Sequence, residues 1–405
     1  MQIGVVGLGY IGSVTAGVLA EAGNNVIGIE IDEKKLEEFK SGEPPIFEPG
    51  LKELLSKNRS KITFSSDYKK LKDVVAVFLT VPTPTEGGKI NVEYIFKAAK
   101  SVREANKKAI IILKSTAVPG TAKRVRAETG ATVISNPEFT KEGTAVEDTR
   151  SPDRVVIGGS DKDAISLVEK IWAFTKAPVL KTTNENAELI KYASNAFLAT
   201  KISFINEIAS LCEKIPGCDV EVVARGMGLD KRISSHFLKA GIGFGGSCFP
   251  KDTAAIASFS RELNSPLSIV EAGMKVNSDR VDHIIELLKP EFDSDLSGHK
   301  IGVLGLAFKG DTDDVRGSQA IKLVERLQNL GCIVNAYDSK VKAAPAGVNR
   351  FNNIKDCVDN SEALVVATEW EEFKTLKIND KLVIDGRRIL DPSNFNKFKA
   401  IGLYG

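Results

Sequence analysis

Ile3-Gly4-Val5-Val6-Gly7-Leu8-Gly9-Tyr10-Ile11-Gly12 is an apolar run that leads straight into a Gly-x-Gly-x-x-Gly turn. The run reads as a buried strand, and Ser13 to Ala22 as the helix that follows. In such a turn Gly7 permits the tight bend, Gly9 lets the backbone approach a pyrophosphate, and Gly12 lets helix and strand pack closely. The anion then rests on the N–H groups of the helix start. Glu30 stands 18 residues past Gly12, at the end of the next strand. A carboxylate there accepts from a ribose 2′-hydroxyl and repels a 2′-phosphate, so the turn points to NAD rather than NADP. Asp32 competes for this role, and Lys35 softens the preference. The alternative is a close-packing glycine turn in a sheet that holds no nucleotide.

Outward from this turn, short apolar runs recur at Val26–Ile31, Val74–Val81, Ala109–Leu113, Thr132–Ile134 and Val155–Ile157, with helical stretches between them. Apolar strands alternating with helices predict a parallel sheet covered on both faces. From Asn184 to Lys214 the pattern becomes one long helix without Gly or Pro, apolar around most of its circumference and therefore expected to be buried between domains or subunits. The polar stretch Asp293–Gly298 reads as a linker, after which Ile301–Ala307 nearly repeats Ile3–Gly9. That second turn lacks the full glycine spacing, and simple packing is at least as good a reading of it. The predicted fold is α/β: an N-terminal Rossmann-type doubly wound parallel sheet (1–183), a central helical region with one long helix (184–292), and a second, smaller Rossmann-like α/β domain (293–405).

Composition narrows the rest. With 405 residues, 42% hydrophobic and 27% charged, the chain is too long for one minimal domain and too ordinary for disordered or fibrous classes. A net charge of +2 gives no ground for a nucleic-acid surface. Neither a membrane-spanning run nor a basic leader is present in the sequence, which reads as cytoplasmic. Five scattered cysteines without a Cys-x-x-Cys pair predict neither disulfides nor zinc, and three separated histidines predict chemistry without a histidine base.

A nucleophile is legible in Gly241-Ile242-Gly243-Phe244-Gly245-Gly246-Ser247-Cys248-Phe249-Pro250-Lys251-Asp252. A cysteine beside a helix start (Thr253 to Arg261) and a lysine favours the thiolate, and the density of glycine implies close approach of a ligand. Cys212, Cys218, Cys332 and Cys357 read as small buried side chains instead. On the long helix Lys191 and Asn195 are spaced i, i+4 with Glu188 one turn back, a polar strip on an apolar rod that faces either a site or solvent. Thr116 and Pro137-Glu138 fall in loops after strands, at the carboxyl edge where open α/β sheets bind ligands.

These residues, together with Ile-Phe-Glu-Pro-Gly-Leu (46 to 51), Val-Pro-Thr-Pro-Thr (81 to 85), Lys-Ser-Thr (114 to 116), Asn-Pro-Glu-Phe (136 to 139) and Lys-Gly-Asp-Thr-Asp-Asp-Val-Arg (309 to 316), resemble the UDP-glucose/GDP-mannose dehydrogenase family in order along nearly the whole chain. The resemblance implies a nucleotide-sugar oxidised at C6 by two hydride transfers to NAD, UDP-glucose ahead of GDP-mannose, in polysaccharide biosynthesis, by a homodimer or higher oligomer formed through the long helix. It implies Cys248 as the holder of a thiohemiacetal and thioester. Lys191 and Asn195 would stabilise the oxyanion, and Asp252, Thr116 and Glu138 would order water and move protons. It assigns Ile11, Glu30, Lys35, Thr83, Thr116, Glu142, Lys251 and Arg316 to the cofactor. To the nucleotide-sugar it assigns Glu138, Phe139, Glu142, Lys191, Asn195, Phe237, Leu238, Lys239, Gly241, Gly245, Lys309 and Arg387, with Arg232 reaching a neighbouring subunit's site. No metal is implied. Two departures stand out: Glu30 where Asp is commoner, and Thr140 where the family has an apolar residue.

Two other functions compete. A two-electron β-hydroxyacid dehydrogenase shares the first domain and long helix but gives Cys248 no role. An NAD-binding regulatory module explains Gly7 to Gly12 alone.

Overall fold

The computed structural model describes residues 1–86 and 88–404; Gly405, the last residue of the expected third segment, lies outside them. Two compact units result, Met1–Ser194 and Asn195–Gly405.

In the first unit eight strands form one sheet: β1 (Gln2–Val6), β2 (Asn25–Ile29), β3 (Ile62–Ser65), β4 (Ala76–Leu79), β5 (Ile110–Leu113), β6 (Val133–Ser135), β7 (Val155–Gly158) and β8 (Val179–Thr182), in the order β8-β7-β6-β5-β4-β1-β2-β3. β1 to β6 are parallel to one another. β7 meets β6 antiparallel, Ser135 opposite Gly158, and β8 runs parallel to β7. The sequence predicted a wholly parallel sheet; the last two strands reverse because the connection Asn136–Arg154 stays at the edge where β6 ends instead of crossing back. β3 and β8 were not foreseen, and Ile31 and Val81 lie outside the strands expected to contain them. Apolar side chains cover both faces. One is filled by Ile3, Val5, Phe78, Ile112 and Trp172, the other by Val6, Val77, Leu79, Ile111 and Val102. Each such side chain contributes about 1.5–3 kcal/mol on burial.

Helix α1 (Tyr10–Glu21) begins inside the glycine turn, three residues before the expected Ser13, so its uncapped first turn belongs to the turn itself. The three glycines have three distinct surroundings. Gly7 has φ +89° and lies against the Thr80 carbonyl. A Cβ on Gly12 would come within 1.9 Å of the Gly7 oxygen, whereas one on Gly9 would meet nothing within 4 Å. Helix α2 (Thr121–Thr129) follows β5, and α3 (Asn184–Cys212) is a single 29-residue helix carrying the chain from one unit into the other.

The second unit continues with α4 (Phe249–Glu262) and α5 (Ser268–Leu288), then a six-stranded parallel sheet: β9 (Lys300–Leu304), β10 (Ile333–Tyr337), β11 (Asn349–Arg350), β12 (Ala363–Val366), β13 (Ile378–Asp385) and β14 (Phe395–Ala400), in the order β11-β10-β9-β12-β13-β14, with α6 (Gln319–Asn329) packed on it. β14 was not foreseen. Within the single chain α3 is not covered all round: Phe197 is 66% exposed, and Leu189, Phe204 and Leu211 are also exposed, which leaves the subunit alternative for its burial.

The glycine geometry separates folding from binding. Gly12→Ala should lower unfolding free energy by about 3 kcal/mol through overpacking, while Gly9→Ala should leave the thermal midpoint unchanged and weaken NAD binding. Thermal denaturation beside NAD titration checks both; a Gly9→Ala protein that binds NAD normally contradicts the assignment.

Candidate active site

At the carboxyl edge of the first sheet, the open side of Gly9 has the room a pyrophosphate needs, and α1 presents its first N–H groups there without a side-chain cap or an acidic first-turn residue. Glu30 is buried directly after β2; its Oε2 accepts from the Leu8 N–H at 3.0 Å and its Oε1 from the Asp32 N–H at 3.0 Å, which fixes both oxygens while leaving lone pairs for a ribose hydroxyl. Asp32, the rival, caps the helix Glu33–Ser41 by accepting from Lys34 and Lys35 N–H groups, so Glu30 is the better ribose partner. These residues fit a dinucleotide. Lys35 is exposed, Thr83 is buried, and Arg316 is ion-paired with Asp314 at 2.6 Å.

Tyr10 has a partner that sequence reasoning missed. Its hydroxyl donates to Glu48, and the same carboxylate accepts from the N–H groups of Gly143 (2.8 Å) and Ala145 (2.7 Å). Glu48 thereby ties the cofactor turn to the loop that begins at Asn136 and carries Glu138 and Glu142. Burial, with the Glu48 contact, raises the Tyr10 phenol far above its usual range.

The same edge holds a buried ion pair. Lys191 Nζ donates to Glu138 Oε1 at 2.8 Å, and the two side chains are only 5% and 7% exposed. Thr140, the departure from the family pattern, donates both its N–H and its hydroxyl to Glu138 Oε2 at 2.7 Å. Burial alone would raise the Glu138 carboxyl; the Lys191 charge and the three hydrogen bonds outweigh it and hold Glu138 well below the usual range. Glu188 lies one turn earlier on α3 and is buried, not solvated. It accepts from Gly120 N–H (2.7 Å), Ala122 N–H (2.8 Å) and the Ser135 hydroxyl (3.3 Å), capping α2. Burial pushes its carboxyl up to about 7. A pocket lined by Ser115, Thr116, Ser135, Pro137, Glu188 and Lys191 brings Thr116 to the foot of this cluster. Phe139 lies beneath the Arg154 guanidinium, 3.8 Å from ring centroid to cation.

In the second unit α4 starts at Phe249, four residues earlier than the expected Thr253, with Cys248 as its N-cap residue; the Cys248 thiol is exposed with the Ser247 hydroxyl 3.6 Å away. An anionic sulfur at a helix N-terminus meets the positive end of the helix dipole. One turn on, Asp252 is 1% exposed, with Asn195 Nδ2 donating to it at 2.6 Å and Lys251 Nζ at 2.6 Å. Asn195 and Lys191 are one turn apart on α3, so a single helix supplies a donor to each carboxylate.

The glycines before Cys248 do something other than expected. A Cβ at Gly241 would meet the Gly386 carbonyl (3.0 Å), at Gly243 the Asn277 amide (2.6 Å), at Gly245 the Gly317 carbonyl (2.5 Å) and at Gly246 the Phe308 ring (2.8 Å). Close approach of protein is enough to require a glycine at each of these four positions. The segment's backbone is gripped by side chains without a motif signal: Asn206 accepts from Gly241 N–H, Asn277 bonds both the N–H and the carbonyl of Phe244, and Gln319 donates to that carbonyl.

Several of the remaining expected substrate residues meet around Arg387, which lies against Gly241, donates to the Gly243 carbonyl and shares Glu369 with Lys239. Phe237, with φ +64°, packs its ring against Phe249. Leu238 is buried in the unit's core, and Lys239 sits within electrostatic reach of Glu369. Arg387 donates to the carbonyls of Ala367 (2.7 Å) and Phe308 (2.8 Å), which makes it a staple between loops. Lys309 lies near the Phe308 ring, and Arg232 is exposed and paired with Asp230. Among the described residues no cluster of His, Cys, Asp and Glu could hold a metal.

The sequence patterns of three domains match this chain: the NAD binding domain of the UDP-glucose/GDP-mannose dehydrogenase family over residues 1–176, its central domain over 185–279 and its UDP binding domain over 302–392. The chain belongs to the UDP-glucose/GDP-mannose dehydrogenase family. Among its relatives are the UDP-glucose 6-dehydrogenase TuaD of Bacillus subtilis, 40% identical with 96% of this chain and 89% of the relative covered, and the UDP-glucose 6-dehydrogenase of Rhizobium meliloti, 40% identical with 93% and 91% covered. The solved structure of a UDP-glucose dehydrogenase from Pyrobaculum islandicum matches with a TM-score of 0.94 at 35% identity, covering 99% of this chain and 98% of that one. A UDP-D-ManNAc dehydrogenase from Pyrococcus horikoshii matches with 0.90 at 29%, covering 99% of each. As a member of this family the chain is an NAD-dependent oxidoreductase.

The buried pair gives a stability prediction. Glu138→Gln leaves the Lys191 charge without its counter-charge and should cost about 3 kcal/mol at pH 7. Because the folded Glu138 carboxyl titrates below its unfolded value, the pair's contribution is complete above the ordinary carboxylate range and disappears as pH falls through the folded value. Urea unfolding of both proteins between pH 7 and pH 3 should show the difference shrinking toward acid; a constant difference contradicts it.

Proposed function

We propose that this chain oxidises UDP-glucose at C6 to UDP-glucuronate with two equivalents of NAD. The observation that carries the reading is the exposed Cys248 thiol at the start of α4, one turn from the buried Asp252 with its Asn195 and Lys251 donors. A two-electron β-hydroxyacid dehydrogenase has no use for that thiol, and a regulatory module has no use for the buried carboxylates.

NAD, when bound, takes up one hydride in each of two oxidations. Between them Cys248 Sγ forms a bond to the C6 aldehyde, whose oxygen becomes an alkoxide. This thiohemiacetal keeps one hydrogen on C6, so the carbon can lose a second hydride and become a thioester. Water then adds, the C–S bond breaks, and the thiolate returns. Lys191 and Asn195 donate to the alkoxide, and Asp252, Glu138 and Thr116 order the water and relay its proton. A positioned donor at a developing oxyanion is worth about 10²–10³ in rate. Glu30, Gly9, Thr83, Glu142, Lys251 and Arg316 belong to the cofactor side of this reading, and Phe139, Lys239, Gly241, Gly245, Arg232, Lys309 and Arg387 to the nucleotide-sugar side.

Matches to three family domains over 1–176, 185–279 and 302–392 support a three-part division at 183/184 and 292/293. Exposure of Phe197, Phe204 and Leu211 along α3 supports a homodimer built through that helix. Five reduced thiols support a reducing, cytoplasmic setting, and no helix among the described residues is long and apolar enough to cross a membrane.

The deciding measurement is NADH formed per UDP-glucose consumed, run beside GDP-mannose and N-acetylhexosamine nucleotides. A ratio of two with UDP-glucose is the expected result; one, or turnover only with another nucleotide-sugar, overturns it. Cys248→Ser should lower kcat by at least about 10³, a loss of the size seen when a nucleophile is removed, with NAD binding intact.

A further inference from the structure

Lys114 is a buried charged group for which the reaction above has no use. It ends β5, directly after Leu113, and is 6% exposed. An ammonium taken out of water is costly unless other charges or dipoles receive it. Here its Nζ lies 4.7 Å from the centroid of the Trp172 ring, which is itself fixed by an Nε1–H bond of 2.9 Å to Asn136 Oδ1. The charges that act on it are Glu138, which attracts it, and Lys191, which repels it. Two cations and one carboxylate therefore share one corner of the first unit.

This arrangement resolves a difficulty in the role of Lys191. With Glu138 held at 2.8 Å, Lys191 and its partner form a pair of no net charge. Such a pair acts on its surroundings as a dipole, whose pull on a developing alkoxide is far weaker than that of a lone ammonium. A second buried cation restores the balance.

We propose that Lys114 is a positioning residue for the oxidation, the second cation of a Lys114–Glu138–Lys191 cluster that keeps Glu138 ionised and leaves one surplus positive charge for Lys191 to present to the alkoxide. The proposal rests on the reading of Lys191 as the oxyanion donor. β4 and β6, on either side of β5, present Leu79 and Ser135, and the helix Lys162–Trp172 presents the uncharged indole; Glu188, from α3, gives its oxygens to Gly120, Ala122 and Ser135 and is not among the charges that act on Lys114. Burial pushes the Lys114 ammonium down to about 8. Below that pH the surplus charge is present and above it the charge is lost, so kcat should fall on the alkaline side.

The test is kcat and KM from pH 6 to 10, with UDP-glucose and NAD, for the natural protein, Lys114→Met and Lys114→Arg, with thermal midpoints as a control for packing. The natural protein should show an alkaline limb near pH 8. Lys114→Met should lose about tenfold in kcat at pH 7, the lower end of what a charge in an active site contributes, with both KM values little changed and no alkaline limb. Lys114→Arg, whose charge does not titrate in this range, should recover most of the rate and hold it to pH 10. Natural kcat in Lys114→Met, or equal losses in both variants with lowered thermal midpoints, overturns the proposal. Should Lys114→Arg not fold, a flat natural profile from pH 7 to 10 overturns it as well. A readout that needs no turnover is NMR titration of labelled lysines: removing Lys114 should move the Lys191 midpoint upward. An unmoved Lys191 midpoint sinks the cluster, whereas a moved midpoint in a protein that oxidises no nucleotide-sugar sinks only the functional reading.

Discussion

The contact between Lys191 and Glu138 constrains everything at the functional edge of the first unit. Neither charge can be left alone in the interior, so helix α3 and the irregular loop after β6 are obliged to meet. Around that contact the structure repeats one device. Loops at this edge have backbone N–H groups with no ladder to join, and a buried carboxylate receives them: Glu48 at Gly143 and Ala145, Glu188 at Gly120 and Ala122, Glu30 at Leu8 and Asp32, Glu138 at Thr140. Each of these carboxylates comes from a different place in the sequence than the loop it holds, or sits at its first residues. The cofactor turn, the Glu138 loop and the Thr116 loop are fixed by the same means as the reacting groups themselves.

The second unit solves the equivalent problem with amides. Phe244 is held by its own peptide, both ends of which are bonded by Asn277 and one also by Gln319. Its ring meets Phe249 edge-on at 5.9 Å, and Phe249 is the residue after the nucleophile. Neutral donors and acceptors satisfy this buried backbone without adding to the charges that Lys251 and Asp252 already place beside Cys248.

How much of this was legible depends on whether a residue's role is local. The glycine turn, Glu30, the polar strip of α3 and the cysteine ahead of a helix are read from neighbours in sequence, and the structure has them where the spacing puts them. The reversal of β7 and β8 was not legible, because strand direction is decided by where a connecting loop lies and no periodicity records that. Glycines 241 to 246 meet the same limit: a Gly needed for a ligand and a Gly needed for the Phe308 ring or the Gly317 carbonyl look alike in sequence. Lys114 stood within the Lys-Ser-Thr motif but received no role, since a lysine at the end of a strand normally reaches water. Leu189, Phe197, Phe204 and Leu211 matched the apolar pattern of a buried rod, yet a pattern says only that a face wants covering and not that its own chain covers it.

The near-repeat of the first turn at Ile301–Ala307 has a further meaning. At the position equivalent to Glu30 the second sheet places Asp338, whose Oδ2 accepts from Leu306 N–H, Ala307 N–H and the Trp370 indole while Oδ1 accepts from Lys340 and Val341. An indole from the protein's own chain stands in the place a ribose hydroxyl would take, and Gly305 is closed over by Thr368. Internal side chains thus fill the positions that a coenzyme takes in a dinucleotide turn, so in the part of the chain that matches the family's UDP binding domain this turn serves as packing.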